Sequence, residues 1–115
     1  MALTRDAILA AQDIKTECVE VPEWGGAVLL RALTAGERDA FDEAVTAARQ
    51  AKAPTLVRAR LVALAAVDAN GVRLFTDADA AALDAKSGAV LDRLFAVAAR
   101  LAGIGRRDAE DLEKN

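Results

Sequence analysis

The sequence predicts an α+β domain, mainly a helical bundle of four to six helices with one β-hairpin near the N-terminus. Three observations predict it. Apolar residues recur at helical spacing over 35–51, 55–67 and 87–101. Two short extended runs, 16–21 and 27–32, flank Pro22-Glu23-Trp24-Gly25-Gly26. The chain is 115 residues long, without an internal repeat or a separating linker, so it forms a single domain over 1–115.

Thr4 caps a first short helix with Asp6 in its first turn, where negative charge suits the helix dipole. Ile8, Leu9 and Ala11 give it a small apolar face, and it ends near Asp13. Val19 and Val21 lie on one face of the first strand and Glu20 on the other. Pro22 and the paired glycines make the turn. Thr34-Ala35-Gly36-Glu37 has the spacing of a capping box, opening a helix to about Ala51. Its inward face is Ala40, Phe41, Ala44, Val45 and Ala48; Glu37, Arg38, Asp42, Glu43 and Arg49 cover much of the outside. Lys52-Ala53-Pro54 breaks it.

From Thr55 to Val67 the chain is apolar nearly all round, with Arg58 and Arg60 keeping one side wet, as expected of a central helix. Asp68-Ala69-Asn70-Gly71 is a turn, followed by a short extended stretch or docked loop, 72–75. Thr76-Asp77-Ala78-Asp79 begins a short helix ending near Asp84. Ser87 caps a longer one whose stripe is Val90, Leu91, Leu94, Phe95, Ala98 and Leu101, stopped by Gly103 and Gly105. Residues 103–115 read as a polar last helix or tail, with Leu112 as its anchor.

Composition excludes much chemistry. Without histidine, and with one cysteine and one serine, no Ser-His or Cys-His nucleophile and no thiolate cage can be assembled. A net charge of −3 and scattered arginines argue against nucleic acid as a partner. No uncharged run is long enough to span a membrane, and a single cysteine fits a reducing cytoplasm. The acidic group Asp68, Asn70, Asp77, Asp79 fails calcium-loop spacing: glycine falls fourth and aspartate twelfth, where glycine sixth and glutamate twelfth are required. Glu37/Asp39 and Asp42/Glu43 lie on a solvated helix face rather than in a pocket. Gly25-Gly26 lacks phosphate-loop spacing. Thus no catalytic residue, metal site or cofactor is expected, and the protein reads as no enzyme. Trp24 either folds back over the helix layer or anchors a partner, and Cys18 is a small apolar filler or edge residue.

Taken in order, Glu20-Val21-Pro22-Glu23-Trp24-Gly25-Gly26, Leu33-Thr34-Ala35-Gly36-Glu37-Arg38-Asp39-Ala40-Phe41, and 68–79 resemble the tail assembly chaperones of long-tailed bacteriophages and prophages. Leu83 to Phe95, with Lys86-Ser87 and Leu91-Asp92-Arg93-Leu94-Phe95, fits as well. The resemblance spans nearly the whole chain and rests on structural rather than catalytic motifs. It implies a non-catalytic protein that binds and solubilises the tape-measure protein before the tail tube polymerises around it. Such a protein acts in the host cytoplasm and is absent from the mature virion. A longer product of programmed frameshifting would recruit the tail tube protein. The ending Glu113-Lys114-Asn115 is what a slippery GAA-AAA-AAC would encode. The rival readings are a structural tail component, such as a tube-completion or connector protein, and a small regulatory adaptor.

A helical client asks for a shallow apolar surface. Trp24 and Leu29 on the hairpin, and Leu94, Val97 and Leu101 on the last long helix, are the candidate partner-binding residues. For the helix stripe, burial in the core is the favoured reading. Pairing of hairpins between chains would give a homo-oligomer.

Overall fold

The computed structural model describes residues 1–104. The expected tail over Arg106 to Lys114, the stop at Gly105 and the anchor Leu112 lie outside the described residues. The described residues form five α-helices and a three-stranded antiparallel sheet, confirming the α+β class.

Helix α1 covers Arg5–Ala10, and Thr4 caps it by accepting a hydrogen bond from the Ala7 amide at 3.2 Å. It ends short of Asp13 because Ala11 is already extended. Strands β1 (Thr16–Val21) and β2 (Gly26–Arg31) form the hairpin, in a register that pairs Cys18 with Leu29 and Val19 with Val28. A 3₁₀ turn at Pro22–Trp24 joins them, closed by Gly25 at φ +78°, a conformation that needs glycine.

Directly opposed residues share a face. Glu17, Val19, Val21, Val28 and Leu30 therefore point inward, and Thr16, Cys18, Glu20, Ala27, Leu29 and Arg31 outward. Val21 and Leu30 are fully buried, and the inner face packs on α5 (Gly88–Leu101).

The expected helix over Thr55 to Val67 is shorter and becomes something else at its end. Helix α3 runs Val57–Ala65, and Ala66–Val67 forms β3 beside β2, pairing Leu30 with Ala66 and Leu29 with Val67. Two residues can make a strand here because β2 offers an open edge and both are buried against it. The turn at 68–71 then brings Arg73 back to bridge Val67. Asp68 Oδ1 accepts from the Asn70 and Val72 amides, and Gly71 sits at φ +80°.

Helix α2 (Ala35–Gln50) opens with both halves of the capping box: Thr34 Oγ1 accepts from the Glu37 amide at 3.1 Å, and Glu37 Oε1 accepts from the Thr34 amide at 2.9 Å. It buries Phe41, Val45 and Ala48. Helix α3 is central, as its all-round apolar surface requires: it packs chiefly on α5 and also on α4 (Ala80–Asp84) and α2. Burying side chains the size of Phe41, Leu61 and Leu94 contributes about 1.5–3 kcal/mol each. The small residues Ala59, Ala63, Ala65 and Ala66 are buried among them. Leu56, just ahead of α3, adopts a left-handed conformation at φ +51° and packs partly buried against the core. Ser87 caps α5 through the Val90 amide, and Gly103 at φ +75° follows its end.

Candidate interaction surface

The hairpin is fixed to α5 at two points. Arg100 donates to both carboxylate oxygens of Glu17 at 2.8 Å. Near the turn, Arg93 forms a fork with Glu23 at 2.6 and 3.1 Å and also donates to the Glu20 carbonyl. Hydrogen bonding from Arg93 draws the Glu23 carboxyl down to about 2 and raises Arg93 further. These charges are substantially exposed, so they orient the turn more than they stabilise the fold. Trp24 is thus presented on a turn held in place, with 40% of its surface exposed. The remainder of its surface is covered.

On the outer face of the sheet, Cys18, Leu29 and Val67 line up across three strands. Cys18 is exposed, Leu29 half-buried and Val67 buried. The face is bounded by Arg31, whose guanidinium binds both oxygens of Glu37 at 2.7 and 2.6 Å. Arg31 holds the Glu37 carboxyl at about 2, while burial pulls the other way and the Thr34 amide assists; Arg31 itself is raised.

The α5 stripe divides. Leu94 is fully buried and cannot meet a client in the folded protein. Val97 and Leu101 are half-buried against the core. Of the five residues singled out from the sequence, the structure brings Trp24 and Leu29 onto the hairpin and sends Leu94 inside. Sequence reasoning passed over Leu3, Ile14, Val72 and Leu74, all exposed. Leu3 and Ile14 were legible in one respect: α1 is too short to bury much of its surroundings by itself.

The acidic residues around 68–79 are engaged locally. Asp68 closes its turn, Asp79 accepts from the Thr76 amide at 2.8 Å, and Asp77 pairs with Arg73 at 3.0 Å. Among the described residues, no three acidic or cysteine side chains converge as a metal site would need. No described helix is long and apolar enough to cross a membrane. What the surface can do is make contacts, through an oriented tryptophan and a mixed apolar sheet face.

A helix-rich α+β body carrying such a sheet defines a small contact-making protein. The family model of the phage tail assembly chaperones matches residues 3–115. The chain belongs to that family. Its fold is similar to the solved structure of the bacteriophage HK97 tail assembly chaperone, at 18% identity and a TM-score of 0.59, covering 88% of this chain and 92% of that one. No curated protein matches the chain.

Proposed function

We propose that this tail assembly chaperone binds the tape-measure protein and keeps it soluble until the tail tube encloses it. The protein does so without catalysis, in the host cytoplasm, and is left out of the finished tail. Membership of the chaperone family over nearly the whole chain carries this reading. The client's long helices expose apolar stripes, and Trp24 and Leu29 on the pinned hairpin offer the matching contacts, with Val97 and Leu101 beside them and Leu94 supporting from within. A longer frameshifted product would add the segment that recruits the tail tube protein.

Coexpression with the tape-measure protein encoded in the same gene cluster tests this. The client should stay soluble and copurify with the chaperone, and purified tails should lack the chaperone by mass spectrometry. Trp24 is the sole tryptophan, so its emission should shift to the blue when the complex forms. Trp24→Ala should weaken the complex about tenfold or more. An insoluble client, or a chaperone present stoichiometrically in mature tails, would reject the proposal.

A further inference from the structure

Helical spacing puts Ala40 and Ala44 on the inward face of α2 with Phe41 and Val45, yet Ala40 is exposed and Ala44 only half-buried. The reason is a cavity of about 130 Å³ between α2, α3 and the Asp77–Asp79 turn. Buried Phe41 and Leu64 lie at its base, the two alanines form its wall on α2, and Arg60 and Asp77 stand at its rim. Apolar cavities of about 150 Å³ accept benzene, so this one has room for a leucine's isobutyl group.

The charges around the mouth are unevenly matched. Asp77 is held by Arg73 at 3.0 Å. Arg60 donates through Nε to the Thr55 carbonyl at 2.7 Å, and among the described residues no carboxylate pairs with it. Its terminal nitrogens therefore give the α3 bank a net positive charge. On the α2 bank, Glu43 is exposed one turn from Ala40, and it too pairs with nothing among the described residues. An apolar cavity thus lies between a positive bank and a negative one.

We propose that this cavity reads the sequence of the tape-measure protein: it takes one leucine-sized side chain from a client helix, with an acidic residue of that helix on Arg60 and a basic one on Glu43. The inference rests on the client reading above and adds a second, selective contact to those of the hairpin. Charge complementarity selects a helix as the occupant. A helix carries an apolar knob with residues three and four positions away on either flank, so it meets both banks at once. A small apolar molecule would fill the cavity and leave both charges unanswered. The alanine wall lets the client backbone come close, because nothing longer than a methyl group projects from it. Exchanging the client's two charges would set like against like on both banks, so selectivity arises from repulsion as well as attraction.

Dye-labelled peptides of about 25 residues, tiling the tape-measure protein encoded in the same gene cluster, test this by fluorescence anisotropy against the full chain. The peptides that bind should share a leucine-sized residue with an acid on one flank and a base on the other. Ala40→Trp plugs the cavity and should weaken the best of them at least tenfold. Glu43→Lys should weaken it about two- to fivefold, and replacing the peptide's facing base with glutamate should restore it. Thermal midpoints check that both variants fold; should Ala40→Trp fail, the Glu43 exchange decides alone, since that side chain is exposed. Should no peptide bind, the same variants are judged by copurification of the coexpressed full-length client. Binding that ignores Ala40→Trp and Glu43→Lys but falls with Trp24→Ala overturns this inference and leaves the client reading standing. A client that associates with no form of the chain overturns both.

Discussion

Replacing Glu37 with glutamine separates two jobs that one carboxylate performs. Glutamine at the third helical position still serves a capping box, so the acceptor for the Thr34 amide survives. What disappears is the charge facing Arg31. The two side chains are only 15% and 25% exposed, so Arg31 would be left largely desolvated without its partner. A carboxyl moved from its ordinary 4.5 to about 2 prefers its charged form by about 3 kcal/mol. Residual solvent contact and the hydration given up by Arg31 reduce what reaches folding stability to about 1–2 kcal/mol. Because the folded-state value lies below the unfolded one, this contribution is complete above about pH 4.5 and is lost as pH falls toward 2. Urea unfolding at pH 7 should therefore place Glu37→Gln about 1–2 kcal/mol below the wild type, a drop of about 5–10 °C in Tm. At pH 2 to 2.5 the two curves should nearly coincide. An unchanged midpoint at pH 7, or a gap that persists in acid, would refute the assignment of the stabilisation to the ionised pair.

Further outcomes follow from burial and backbone geometry. Leu94→Ala should cost about 2–5 kcal/mol in urea unfolding, and half-buried Leu101→Ala distinctly less; equal losses would contradict the placement of Leu94. Gly71→Ala should cost about 1 kcal/mol by thermal melting although its Cβ would meet nothing within 4 Å, because φ is +80°. Gly26→Ala, equally uncrowded and without a positive φ, should be neutral or slightly stabilising; reversal of that order would exclude the turn geometry described.

Where the sequence carries local chemistry, it was legible. Thr34 and Glu37 announce a capping box by spacing alone, and both hydrogen bonds are made. The same holds for Thr4, Ser87 and the Asp68 to Gly71 turn, whose partners lie within a few residues. The third strand was not legible. Ala66 and Val67 continue an apolar run indistinguishable from helix, and they become a strand only because Leu29 and Leu30 lie alongside. The candidate surface follows the same division. Helical periodicity grouped Leu94, Val97 and Leu101 on a stripe, yet the stripe says nothing of what covers it, and α3 and the sheet cover Leu94. Trp24 sits in a turn whose orientation depends on Arg93, about seventy residues away in the chain.

The alanines at the centre of the molecule have a consequence for how the sequence can drift. Ala59, Ala65 and Ala66 are fully enclosed and Ala63 nearly so. Such positions have little to lose by truncation, since only glycine is smaller. Their hazard is growth: a single added methyl or ethyl group must push α3 off α5 or the sheet, at about 1–3 kcal/mol per intrusion. A lineage carrying this fold should therefore tolerate change at its large apolar positions by exchanging one branched side chain for another, while its smallest residues stay small. The permissible sequences are bounded from above by volume at α3, and the closeness of its helices is inherited through what those residues lack.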